Sequence, residues 1–337
     1  MEFKIFQPGN EFLKTKFPII CGAMSYISTP ELVASVNENG GFGCLAGGNM
    51  SAGELEKQID RTRELTDRNF AVSLLTISPQ FHEQLYLCQW KKVPYIIFAG
   101  SFPKKNEIKM ARESGAKVIC YASTNEIARR MVRYGVDALI IEGDEAGGYV
   151  GRKGLNILIQ EILFDEIKIP IFVAGGLFCG KLAAHMVMMG AAGVVLGSRF
   201  AASCESGAHP NFKQNFLRAK ARDAVVVPQF DSQLKVVPIR TLRNGALEDF
   251  YKLKEKLLKK LKKEKISHTR AQKFVGAYWI HALRNAALKG DVEKGALMAG
   301  QSVGLIKKEQ SVKEIINQLV SEIESEMKRV KGMVDDL

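Results

Sequence analysis

The chain has 337 residues, 46% apolar and 25% charged, enough to bury a sizeable core as one elaborated domain or two. No apolar run reaches the roughly eighteen residues of a membrane span, and Met1-Glu2-Phe3-Lys4-Ile5-Phe6-Gln7-Pro8 lacks the basic-then-apolar layout of a signal peptide, so a cytoplasmic protein with no membrane partner is expected. The net charge of +12 is local: Lys252 to Lys273 carries ten Lys or Arg against Glu255 and Glu264, which predicts a surface patch and not a nucleic-acid binder.

In chain order, the first two-thirds alternates short apolar runs with amphipathic stretches. The runs predict strands at Phe17 to Cys21, Gly43 to Ala46, Phe70 to Leu75, Tyr95 to Ala99 and Lys117 to Tyr121. Three more are expected at Ala138 to Glu142, Ile169 to Ala174 and Gly193 to Leu196. Helix starts lie between them. Thr29-Pro30-Glu31 offers an N-cap with Pro at the first helical position, Ser51-Ala52-Gly53-Glu54 has capping-box spacing, and Ser123-Thr124-Asn125-Glu126 opens a helix after the fifth run. Eight strands with helix-length connections, apolar on both faces, predict an α/β fold, a closed (β/α)₈ TIM barrel; an open doubly wound sheet is the alternative, which the count of eight disfavours.

Beyond Asp223 the pattern changes. Val225-Val226-Val227-Pro228 and Val236-Val237-Pro238-Ile239 read as short extended pieces interrupted by Pro. Leu253, Leu257, Leu258 and Leu261, with lysines between, mark an amphipathic helix; Gln272 to Leu288 is a second and Val312 to Val330 a third. The expected division is a barrel over residues 1–222, a smaller helical cap over 223–290, and a segment over 291–337 that returns to the barrel.

Cys21, Cys44, Cys88, Cys120, Cys179 and Cys204 are scattered with no C-x-x-C, which predicts buried thiols and no metal site. His185 falls in the helix after strand seven and His209 in a turn beyond strand eight, both read as structural; His82, His268 and His281 have no evident partners.

In a barrel the working end is the C-terminal face of the strands, and loops after strands seven and eight commonly hold a phosphate. Ile171-Phe172-Val173-Ala174-Gly175-Gly176 and Val194-Val195-Leu196-Gly197-Ser198-Arg199 place glycines there, where the backbone can approach an anion with a helix N-terminus following. The bland alternative, tight turns only, fits either pair alone better than both together. After strand six, Ile141-Glu142-Gly143-Asp144-Glu145-Ala146-Gly147-Gly148-Tyr149-Val150-Gly151 gathers acids, glycines and one phenol, either a polar turn or a site loop. Strand one ends Ile20-Cys21-Gly22-Ala23-Met24, small enough to admit a flat ring, and strand three carries Ser73 near its tip.

Taken together, these residues resemble one family, the nitronate monooxygenases (2-nitropropane dioxygenase-like) and the FMN-dependent enoyl-acyl-carrier-protein reductases of type II. The most specific pieces are Glu142 to Gly151, Ala174-Gly175-Gly176, Gly197-Ser198-Arg199-Phe200 and Glu205-Ser206-Gly207-Ala208-His209-Pro210. Gly290 to Gln301 looks especially like the reductases. The resemblance implies an oxidoreductase with FMN held by Gly22, Ala23 and Met24 on one side of the ring. It places Glu142 at the ribityl or ring, Gly147 and Gly148 along the pocket, and Gly175, Gly176, Gly197 and Ser198 at the phosphate. The family usually has Asn at Ser73 and Thr at Ser198; Ser198 keeps the hydroxyl, whereas Ser73 loses reach.

The main departure is Tyr149, which replaces a catalytic or substrate-orienting His. A phenol with pKa roughly 10 is protonated at neutral pH, so it donates but hardly accepts. It suits protonation of the α-carbon of an enoyl thioester, and is a poor base toward a nitroalkane. The expected function is therefore NAD(P)H-driven reduction of an acyl-carrier-protein-linked enoyl thioester through FMN. Nitronate oxidation by O₂, which needs no deprotonation, is one alternative; a flavin- or carrier-binding protein with little turnover is another. Substrate and partner are then a small molecule or thioester and an acidic acyl carrier protein, and the resemblance admits a homodimer.

Overall fold

The computed structural model describes residues 4–229 and 233–335. Eight parallel strands close on themselves: β1 (Ile19–Cys21), β2 (Phe42–Ala46), β3 (Ala71–Leu75), β4 (Tyr95–Ala99), β5 (Lys117–Ala122), β6 (Ala138–Glu142), β8 (Ile171–Ala174) and β9 (Gly193–Leu196), with β9 paired back to β1. The fold is the expected (β/α)₈ barrel.

β3 starts one residue after the expected Phe70, and three other expected strands begin late for one shared reason. Pro18, Pro170 and Pro238 each lack an N–H and restrict the residue before them, so β1, β8 and β11 (Ile239–Leu242) start at the residue after the proline. The prolines keep their carbonyls in use: Pro18 O accepts from Val194 N at 3.0 Å and Pro170 O from Leu139 N at 3.0 Å. Among the helix starts, Ser51 forms the full capping box with Glu54 and Thr124 caps through its side chain, whereas Thr29 makes no side-chain cap bond.

Strand alternation sorts the core into two shells. Ile20, Phe42, Cys44, Ala71, Ile97, Ile119, Ile140 and Phe172 fill the barrel, while Val72, Ile96, Val118, Leu139 and Val173 face the helices. The N-terminal helix Gln7–Leu13 closes the bottom; Phe12 lies 5.9 Å from both Tyr95 and Phe172, and Tyr95 Oη donates to Phe12 O at 2.6 Å. Cys21, Cys44, Cys88 and Cys120 are buried, and burial pushes each thiol up, which leaves them inert.

A second core forms beside the barrel mouth around Phe212, Phe216, Phe250 and Trp279, the last two stacked at 4.7 Å. Its helices Gly245–Lys262 and His268–Lys289 answer the leucine periodicity. A three-stranded antiparallel sheet accompanies them, in the order β10 (Ala224–Val227), β11, β7 (Gly148–Tyr149). The two-residue β7 comes from the loop after β6 and is too short to leave a periodic signal. No helix of the described residues is long and apolar enough to cross a membrane.

The last helix, Val312–Asp335, lies on Gly180–Met188, burying Ile315, Ile316, Leu319 and Ile323 in the barrel's outer shell. A Cβ at Gly180 would come within 2.2 Å of Leu319 O, and Glu322 Oε2 accepts from Gly180 N at 2.6 Å. Gly180→Ala is therefore expected to cost about 1–3 kcal/mol by overpacking, read as a lower denaturant midpoint at unchanged slope.

Candidate active site

At the C-terminal ends of the strands a cavity opens toward the second core. It brings together Gly22, Ala23 and Met24 after β1, Glu142 at the tip of β6, Gly147 in the following loop, and Gly175, Gly176, Gly197 and Ser198 after β8 and β9. Ser73, Gly148 and Tyr149 do not line it. Ser73 is buried within β3, opposite Ala46 and Ile97. Gly148 and Tyr149 pair with Arg240 and Ile239 in the second sheet, and the Tyr149 ring packs half-buried on the second core.

Backbone shape explains the glycines. Gly175 and Gly176 sit at φ +102° and +68°, where a side chain is strained, and a Cβ at Gly175 would meet Gly143 N at 2.9 Å. The amides of Gly176, Gly197 and Ser198 take no acceptor among the described residues, so three open donors border the cavity. The helix after Gly197 is a single turn, Ser198–Ala201, and the one after Gly176 starts only at Gly180. The expected helix-dipole contribution is therefore small, and the open amides are the groups there that could hold an anion.

A strap from Met298 to Ser302, unassigned to the pocket from sequence, completes the wall through Gly300 and Ser302. Gly300 N donates to Ser198 Oγ at 3.0 Å and Gln301 N to Glu145 O at 2.9 Å. Ser198 thus keeps its own hydroxyl proton to donate. A Cβ on Gly147 would lie 2.6 Å from Gly300 N, so strap and loop touch backbone to backbone.

Tyr121 is the other lining residue that sequence reading missed. It follows Ile119 by two positions and so faces inward beside Glu142 on the neighbouring strand. Strand alternation carries that signal, but with both faces of β5 apolar nothing in the sequence says which parity points in. Burial pushes the Glu142 carboxyl up to about 8, and pushes the Tyr121 phenol well above its usual range, with Glu142 and Cys44 adding to it. Both groups are mainly neutral donors at pH 7. Burial also raises the Tyr149 phenol, whose hydroxyl has no protein partner among the described residues.

A carboxyl whose folded pKa lies above its unfolded value binds protons preferentially in the native state, so stability falls as pH rises from about 4.5 to about 8. Glu142→Gln in the flavin-free protein is expected to flatten that decline, measured as the denaturation midpoint across this window. An unchanged slope would show that Glu142 titrates normally.

The profile of the nitronate monooxygenase family matches residues 7–90 and 75–322. The chain belongs to that family. Relatives agree: a Mycobacterium tuberculosis (3aS,4S,5R,7aS)-5-hydroxy-7a-methyl-1-oxo-octahydro-1H-indene-4-carboxyl-CoA dehydrogenase is 26% identical over 97% of this chain and 99% of its own length. A probable nitronate monooxygenase of Staphylococcus aureus (strain MSSA476) is 28% identical, covering 71% and 79%. Among solved structures, FabK from Thermotoga maritima matches with TM-score 0.85 and 32% identity over 96% of this chain and 98% of that one. Nitroalkane oxidase from Streptomyces ansochromogenes matches with TM-score 0.78 and 25% identity, over 94% and 98%. This nitronate monooxygenase family member is a flavin-dependent oxidoreductase. The open amides and the flat, glycine-walled cavity fit a flavin phosphate and ring.

Proposed function

We propose that this protein binds FMN and uses NAD(P)H to reduce an α,β-unsaturated thioester. The observation that carries the reading is the protonated phenol of Tyr149, without a hydrogen-bond partner among the described residues, on the loop beside the cavity, where the resembling families have His. A group that donates but hardly accepts suits reduction, which ends in protonation of carbon, better than removal of a proton from a nitroalkane. The M. tuberculosis relative's name specifies a CoA thioester, which supports the substrate class.

The roles of the side chains follow from chemistry. Gly176, Gly197 and Ser198 supply amide and hydroxyl donors to the FMN phosphate, with Gly175 turning the chain so that its backbone comes close. Gly22, Ala23 and Met24 face the ring, and Glu142, neutral because buried, donates a hydrogen bond to the ribityl or ring acceptors. FMN, when bound, would supply the hydride-transfer chemistry between nicotinamide and thioester. Tyr149 Oη protonates the α-carbon of the thioester. Gly148, at φ +79°, lets the chain turn so that Tyr149 pairs with β11, and Gly147 lies close against the strap. Ser73 is buried in β3 and is assigned no direct contact with the ring.

Anaerobic mixing tests this directly. NADH should bleach the bound flavin, and crotonyl thioester should reoxidise it without oxygen, whereas a nitronate without oxygen should not. Tyr149→Phe should slow thioester reoxidation by about 10²-fold or more while flavin reduction by NADH is unchanged. Oxygen uptake with a nitronate in the absence of nicotinamide would instead support monooxygenation, the activity in the S. aureus relative's name.

The basic helix suits an acidic acyl carrier protein. Lys259, Lys260, Lys262 and Lys263 are all exposed at the end of Gly245–Lys262. Reversing these four charges is expected to raise KM for carrier-bound substrate and leave KM for a short CoA ester unchanged. Equal effects on both would exclude docking there.

A further inference from the structure

Outside the catalytic cavity, on the far side of the strap, lies a second hollow of about 220 Å³. Its walls are apolar, built from Phe178, Ala202, Leu305, Ile306 and Ile315, and its rim carries the exposed Lys307 and Lys308. One wall is Arg199, whose side chain is almost wholly buried at 3% exposure. Its guanidinium lies 4.5 Å from the centre of the Phe178 ring.

The partners of Arg199 are all neutral. Nη1 donates to Phe178 O at 2.6 Å, and Nη2 donates to Gln318 Oε1 at 2.7 Å and to Gln310 Oε1 at 3.4 Å. Nε is buried with no acceptor. The acid that acts on it electrostatically, Glu322, is already engaged, accepting from Gly180 N at 2.6 Å and from Gln318 Nε2 at 2.6 Å. A buried guanidinium without a paired carboxylate is costly, and an anion would relieve that cost.

We infer that this hollow is a second ligand site, which takes a small amphiphilic anion: a carboxylate with a medium-length acyl chain, its head toward Arg199, Lys307 and Lys308 and its chain against Phe178, Leu305, Ile306 and Ile315. At about 220 Å³ the hollow suits a ligand smaller than the drug-sized class. The apolar walls argue against a bare phosphate. Because residues 300 and 302 line the catalytic cavity and residues 305–308 and 310 line this one, an occupant bears on the segment that continues from the strap whose Gly300 holds Ser198. The inference does not depend on which substrate the flavin serves.

The test is fluorine NMR titration of 8-fluorooctanoate into the flavin-loaded full chain. Saturable binding is expected. It should weaken about tenfold or more in Leu305→Glu and in the double variant Lys307→Glu, Lys308→Glu, both at exposed positions, with the flavin absorption spectrum unchanged. Octanol should compete about tenfold more weakly than octanoate, and inorganic phosphate should not displace the probe. Absence of saturation, equal affinity in the variants, or displacement by phosphate would each overturn the proposal. Displacement by crotonyl thioester would do so too, by placing the probe in the catalytic cavity.

Discussion

The mouth of this barrel depends on backbone-to-backbone contact between glycines. Gly175 turns at positive φ directly against Gly143, and Gly147 lies against Ala299 and Gly300, with Cβ atoms forbidden at distances of 2.6–2.9 Å. Any side chain at these points would separate the β8 turn, the β6 loop and the strap. Their contact leaves amides facing the cavity and brings Gly300 N onto Ser198 Oγ. The pocket wall is thus largely main chain, which fixes its shape independently of rotamers.

The same contact ties the loop after β6 to the second core. The loop after β6 leaves the barrel, passes the strap, and enters the antiparallel sheet at Gly148 and Tyr149. Arg240, opposite Gly148, bonds Asp144 O through Nε at 2.9 Å and Ala224 O through Nη1 at 2.7 Å, so one buried cation ties the loop after β6 to β10. Tyr149 is positioned by the cap and not by the barrel. The cavity is walled by residues 300 and 302, and the outer hollow by residues 305–308 a few positions further along the same chain segment.

Electrostatics follow from burial more than from charge pairing. Glu142 and Tyr121 are held neutral beside one another at the end of β5 and β6, while the lysine-rich helix keeps its charges in water. The pocket therefore offers hydrogen-bond donors without a fixed cation, which suits a polar ring and a phosphate gripped by amides.

By itself, the sequence determined the strands, their number and the barrel, because apolar runs and helix caps are local signals that the parallel-sheet arrangement satisfies directly. It also determined most of the pocket: Gly22, Ala23, Met24, Glu142, Gly147, Gly175, Gly176, Gly197 and Ser198 converge because strand ends of a barrel all open on one face. Even the late starts of β1, β8 and β11 were written in Pro18, Pro170 and Pro238. Tertiary structure alone decided which parity of β5 points inward, and so placed Tyr121 in the cavity. It left Ser73 buried in β3, off the cavity's lining, and brought the strap at Gly300 into the cavity wall. It set Tyr149 in a two-residue strand opposite Ile239, some 90 positions away along the chain, through pairing that no short-range pattern encodes.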